Sequence, residues 1–129
     1  MVRESLGVTL DAGALIALEK GDATMARIVA VVWERDGVVV VPATVVAQVW
    51  RDGGRQARLA RLLGATFCDV VPMNRVLAQK AGALCGHTRT SDIVDASVVV
   101  VAKERGHRIV TSDPRDLHRL DPSLQLVVV

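Results

Sequence analysis

The chain has 129 residues, half of them hydrophobic, with 16 basic and 14 acidic residues for a net charge of +2. That is about one domain with enough apolar surface for a real core, so disordered and collagen-like chains are excluded. One Phe, two Trp and no Tyr exclude modules that stack several bases on aromatic rings. A charge of +2 is too mild to predict nucleic-acid binding from the bulk field.

Thirteen of the basic residues are Arg and ten of the acids are Asp. This fits a GC-rich genome, but short Asp side chains also suit a rigid metal site. Cys68 and Cys85 make neither a disulfide framework nor a zinc pair, and read as buried thiols. Residues 1–5 lead into a short strand and do not resemble a signal peptide. The apolar runs around 28–33 and 98–102 fall short of the ~20 residues of a membrane helix. A cytoplasmic protein with a single domain over 1–129 is expected.

In chain order, 6–11 reads as a strand ending at Asp11, and 12–19 has a helical pattern closed by Gly21. Asp22 caps a helix to about Arg35, ended by Asp36-Gly37. The continuous apolar run 38–41 predicts a strand buried on both faces, hence parallel, stopped by Pro42. Helical spacing covers 44–50 and 55–63, with Gly53-Gly54 between. A third strand is predicted over 66–71 and a helix over 73–86. Thr90 and Ser91 are N-cap candidates for a helix over 92–105, which stops at Gly106. A strand over 108–111, a short helix from Asp113-Pro114 to about Leu120, and a strand over 124–129 complete the chain. Short apolar strands alternating with helices predict a helix–sheet–helix sandwich with a mainly parallel sheet. Ligands of such sheets bind beyond the carboxyl ends of the strands.

That rim is where the acids gather. Asp11 ends the first strand and Asp113 follows the fourth; Asp92 and Asp95 share one helix face, as do Asp113 and Asp116. Unpaired carboxylates at ~4 Å repel by roughly 4 kcal/mol at an effective dielectric of about 20. A hard divalent cation removes that repulsion and can activate water for phosphoryl displacement. Structural alternatives exist for four of them. Asp113 before Pro114 reads as a plain N-cap, Asp92 and Asp116 as helix-dipole residues, and Asp11 as a loop or cap residue. Asp95 lies inside the apolar helix segment 93–98, where a partly buried carboxylate needs a cation or hydrogen bonds.

These residues fall into ordered motifs. Leu10-Asp11-Ala-Gly-Ala-Leu-Ile-Ala-Leu, Val41-Pro42-Ala43-Thr44, Ser91-Asp92-Ile-Val-Asp95-Ala96 and Thr111-Ser112-Asp113-Pro-Arg-Asp116-Leu117 together resemble the four motifs of PIN-domain nucleases. The likeness spans essentially the whole chain, and the single-domain size resembles the VapC-type toxins of toxin–antitoxin pairs. The resemblance implies a three-layer α/β/α PIN-like sandwich and a Mg²⁺- or Mn²⁺-dependent endoribonuclease. Asp11, Asp95 and Asp113 match the family's metal-binding acids, and Asp116 matches an additional acid. Thr111 and Ser112 match the small hydroxyl region beside the site, with Asp92 as a further supporting acid. An RNA substrate, a small antitoxin partner and a homodimer are also implied. One position departs: the helix after Pro42 carries Gln48 where the family normally has Glu. Gln offers a carbonyl ligand but no charge, and losing one supporting group commonly costs about 10–100-fold in metal affinity or activity. A catalytically weak or inactive relative that binds RNA or a small protein is therefore the alternative.

Arg51, Arg55, Arg58 and Arg61 would form one basic stripe for RNA phosphates if their helix ran on past Gly53-Gly54, and otherwise a solvated face. His87, His107 and His118 show no catalytic or metal spacing. Trp33 and Trp50 read as packing residues, in the core or at a dimer contact. A phosphoacceptor receiver domain has similar length, but its acceptor Asp and late-strand Lys have no counterpart at Val41-Pro42 or near Thr111.

Overall fold

A computed structural model describes residues 6–129. Its elements are β1 (Gly7–Leu10), α1 (Ala12–Glu19), α2 (Ala23–Glu34), β2 (Val38–Pro42), α3 (Ala43–Val49), α4 (Ala57–Leu63), β3 (Cys68–Val71), α5 (Arg75–Thr88), α6 (Ile93–Arg105), β4 (Arg108–Thr111), α7 (Pro114–Leu120) and β5 (Leu126–Val128). The five strands form one sheet in the order β3-β2-β1-β4-β5, and every pairing is parallel. Helices α1–α4 pack among themselves, as do α5–α7, and α3 meets α6. The expected three-layer sandwich is therefore the observed fold.

Burial explains the apolar strands. In β2, Val39 and Val41 belong to the main core, while Val40 joins Leu77 of α5 and Val101 of α6 in a second cluster. Both faces of the strand are thus covered, as a run of four valines requires. Asp22 and Asn74 cap α2 and α5 by accepting the Met25 and Leu77 N–H groups at 2.8 and 2.9 Å.

Several boundaries and packing expectations change. Leu6 lies outside β1, and Asp11 leaves the strand to cap α1. Strand β5 is only Leu126–Val128. The N-cap of α6 is Asp92, not Thr90 or Ser91, because the Asp92 carboxylate accepts the Asp95 N–H at 2.9 Å. Trp33 is 61 % exposed and Trp50 37 %, so neither is a core residue. Cys85 is buried, but Cys68 is only half-buried, with its thiol pushed up to about 11 by burial. The expected leader-free start at residues 1–5 lies outside the described residues. Among the described residues, no helix is long and apolar enough to cross a membrane.

The helix after Pro42 does not run on. It ends at Val49, where Trp50 turns to ψ 131, and α4 begins only at Ala57. Gln56, 5 % exposed, holds the turn between them. Its Oε1 accepts the Arg51 and Asp52 N–H groups at 2.8 and 3.0 Å, and its Nε2 donates to the Val49 carbonyl at 3.0 Å. Replacing Gln56 by Ala strands these backbone groups, which should lower unfolding free energy by about 1–3 kcal/mol. Urea unfolding measures this. An unchanged midpoint would show that the turn does not depend on the amide.

Candidate active site

The chain leaves β1 for β2 and β3 on one side, then returns to β4 and β5 on the other. Strand order therefore reverses between the neighbours β1 and β4, and such a switch point opens a crevice at the carboxyl ends. Asp11 and Asp113 stand at its two lips. Asp11 is 5 % exposed and caps α1 by accepting the Ala14 N–H at 2.9 Å. Burial raises its pKa above 3.8, against the pull of the Thr111 hydroxyl and the Ala14 N–H, and the Asp113 charge raises it further. Thr111 is fully buried, and its Oγ1 accepts the Asp113 N–H at 2.9 Å. The same hydroxyl thus bears on both acids. Ser112 completes the join: a Cβ on Gly13 would fall 2.1 Å from the Ser112 Oγ. A side chain at this position would displace the Ser112 hydroxyl and crowd the loop after β4, so Gly13 lets the first turn of α1 close on that loop.

Asp113 occupies the N-cap position of α7, with Pro114 at the first helical position, yet its side chain makes no capping bond. The plain-cap alternative for this residue is not what the geometry displays. Asp92 does cap α6, and its carbonyl accepts the Cys85 thiol at 3.6 Å. Asp95 follows in the first turn. Burial, first, and then the charges of Asp92, Asp11 and Asp116 push its carboxyl up to about 7. Two residues on, the Ser97 and Thr44 hydroxyls meet at 2.6 Å and tie α6 to α3. A cleft of about 290 Å³ contains Asp92, Asp95 and Asp116, with Arg89 and Arg119 on its walls.

Asp11, Asp92, Asp95, Asp113 and Asp116 are therefore one electrostatic group, linked through Asp95 and Asp11. Among the described residues, none of the five forms an ion pair with a basic side chain. Nor do any three His, Cys, Asp or Glu among those residues stand close enough to cage an ion as they are placed. This donor set fits Mg²⁺ or Mn²⁺ in an open, hydrated site. Mg²⁺ takes one or two carboxylates directly and keeps several waters.

Gln48 is exposed on α3, one turn beyond Thr44. Its amide has no hydrogen-bond partner among the described residues. The arginine stripe does not form, because the helix breaks at Trp50. Arg51 and Arg55 lie in the turn. Arg51 donates to the Trp50 and Ala47 carbonyls at 2.6 and 3.3 Å, and Arg55 faces Asp52 at 3.9 Å. Arg58 donates to the Glu19 carbonyl at 3.2 Å and Arg61 is exposed three residues on. Arg89 and Arg119 escaped the sequence reading. Arg119 could have been found from its i+3 relation to Asp116; nothing in the sequence marks Arg89 except its place before Asp92.

A family model described as PIN domain matches residues 8–121. No curated protein matches the sequence significantly. Among solved structures, VapC20 of Mycobacterium tuberculosis, a sarcin-ricin loop cleaving toxin, is 21% identical. It has a TM-score of 0.70, covering 95% of this chain and 98% of that one. VapBC2 of Rickettsia felis, bound to promoter DNA, is 13% identical with a TM-score of 0.72, covering 96% and 99%. A toxin–antitoxin complex from Klebsiella pneumoniae is 13% identical with a TM-score of 0.69, covering 94% and 96%. At these identities the likeness is one of fold.

The raised carboxyl of Asp95 has a consequence for stability. An unfolded Asp titrates near 3.8, whereas Asp95 in the folded chain titrates near 7. The folded state therefore holds this proton more tightly. The stability that it contributes is complete below pH 3.8 and lost as pH rises through about 7. In chelator, the native protein should gain stability relative to Asp95→Asn as pH falls from 8 to 5. Melting curves of both proteins across that range measure it, and parallel pH profiles would contradict the shift.

Proposed function

Since the chain belongs to the PIN domain family, we propose that it is a Mg²⁺- or Mn²⁺-dependent endoribonuclease. We read it as the toxin of a toxin–antitoxin pair, a single domain over 1–129 acting in the cytoplasm. The observation that carries this reading is the group of acids at the strand-order reversal with no basic partner among the described residues. The Thr111 hydroxyl links two of these acids, accepting the Asp113 N–H and bonding the Asp11 carboxyl. The toxin–antitoxin structures among its neighbours support a small antitoxin as partner, and the VapC20 toxin supports RNA as substrate. A homodimer is part of the same reading.

In this mechanism Asp11, Asp95 and Asp113 hold the metal. A bound ion would supply an activated water and would offset the charge that grows on the phosphate. The chain's own groups do the positioning. Thr111 fixes Asp113 through its backbone N–H and restrains the Asp11 carboxylate. Asp92 holds the first turn of α6, and so the backbone of Asp95, by its capping bond. Asp116, exposed on the cleft wall, accepts hydrogen bonds from water and orients it. Water would attack phosphorus in line, its oxygen bonding to phosphorus as the bond to the departing ribose oxygen breaks; the proton it gives up to solvent is matched by one that solvent returns to that ribose oxygen.

Gln48 favours a second reading. Without a charge at this position the scaffold could bind RNA or a small protein and cleave nothing. RNA cleavage by partner-free protein in Mg²⁺, Mn²⁺ or chelator separates the two. The native chain should cleave only with metal, and Asp113→Asn should lose more than about 100-fold in rate, beyond the usual cost of losing one supporting group. Full activity in Asp113→Asn or in chelator would refute the site. Gln48→Glu should gain roughly 10–100-fold. Cleavage by that variant alone would establish the binding reading for the natural protein.

A further inference from the structure

The cleft that holds Asp92, Asp95 and Asp116 also presents two guanidinium groups, Arg89 and Arg119. Among the described residues, neither forms an ion pair with these acids or with any other. Both are exposed. An RNA strand entering an acidic cleft is repelled unless cations meet its phosphates nearby, and a net charge of +2 supplies little long-range attraction. Guanidinium groups suit this task, because their planar fork pairs with two phosphate oxygens at once.

Arg89 carries a second, independent signal. It ends α5 in the left-handed region, at φ 58 and ψ 40, with its N–H bonded to the Cys85 carbonyl. Among the described residues, only Asp36 is another non-glycine with positive φ. Asp tolerates this conformation through local hydrogen bonds, whereas Arg has no such compensation. Glycine or Asn would fit the helix end with less strain. A long basic side chain held in a strained backbone state at the mouth of a site points to a functional use of that side chain. The loop is also fixed: the Thr90 N–H bonds to the Cys85 carbonyl at 3.0 Å, and the Thr88 hydroxyl donates to the Leu84 carbonyl at 2.8 Å.

We propose that Arg89 and Arg119 grip the RNA phosphates that flank the scissile one, Arg89 from the end of α5 and Arg119 from α7. This rests on the ribonuclease reading and adds the residues that would seat its substrate. The geometry leaves the chemistry to the acids and the register of the strand to the two arginines.

The test is binding of a mixed-sequence single-stranded RNA by the full chain carrying Asp95→Asn, across a range of salt concentrations in Mg²⁺. The variants are Arg89→Asn, Arg119→Gln and, as control, Arg35→Gln, at the exposed residue that ends α2 just before β2, toward the amino ends of the strands. Cleavage by the native chain is measured alongside. Each site arginine should remove about 0.7 from the slope of log affinity against log salt, or about fivefold in affinity at ~0.1 M salt. Arg35→Gln should change neither. Arg89→Asn should melt no lower than its parent, since Asn accepts the left-handed backbone, so its lost affinity cannot be a folding defect. Cleavage by the native chain with unchanged slopes in both site variants would overturn the phosphate grip and leave the nuclease standing. Neither cleavage nor RNA binding by any form would overturn both.

Discussion

Mutual repulsion among five carboxylates is the constraint on which the rest of this structure turns. Two unscreened like charges at ~4 Å cost roughly 4 kcal/mol at an effective dielectric of about 20, against a typical domain stability of about 5–15 kcal/mol. In this group the cost falls on the two more buried acids, Asp11 and Asp95, whose carboxyls burial and neighbouring charges raise. The molecule has two ways out, a proton or a cation. The proton is already visible: burial and the neighbouring acids lift the Asp95 carboxyl to about 7. At neutral pH a cation would compete with that proton for the same oxygens, which couples metal affinity to pH.

The fold converges these acids by topology rather than by local sequence. Asp11 and Asp113 are a hundred residues apart, yet β1 and β4 are hydrogen-bonded neighbours. The return of the chain through α5 and α6 then brings Asp92 and Asp95 to the same rim. Small contacts set the final spacing. Gly13 admits the Ser112 hydroxyl, Thr111 serves both lips, and the Thr44–Ser97 pair locks α3 to α6. Each is a buried or closely packed contact, so the site sits on rigid elements where small displacements are resisted.

Much of this was legible beforehand, for identifiable reasons. Four consecutive valines can only be a strand covered on both faces, and β2 is such a strand. Asp95 stood out because a carboxylate within an apolar helical stretch has few explanations. Two of the misreadings share one cause, competition among polar side chains for the same backbone groups. Thr90, Ser91 and Asp92 could each have capped α6, and only the fold decided that Asp92 does. Gln56 was read as one residue of a helix, yet its amide ends one helical segment and precedes another. With that break, the four-arginine stripe dispersed into a turn and a short helix. Arg89 was invisible because its signal is a backbone angle, and a backbone angle cannot be read from residue type.

The same physics says where the fold is most sensitive. Apolar packing around β1, β2 and β4 supplies the stability, while the acidic rim subtracts from it until the charge is balanced. Under the proposed cation reading, function and stability pull on the same residues in opposite directions, a common feature of sites built from like charges.

The most direct test of the cation account is the melting temperature of chelator-stripped protein on titration with Mn²⁺ and Mg²⁺, beside Asp113→Asn and Asp95→Asn. Binding to the folded state alone should raise the native melting temperature with metal concentration, by several degrees once the ion exceeds its dissociation constant about a hundredfold. The rise should shrink sharply in both variants. A native melting temperature indifferent to both ions, or an equal rise in Asp113→Asn, would contradict the claim that these carboxylates are gathered to hold a cation.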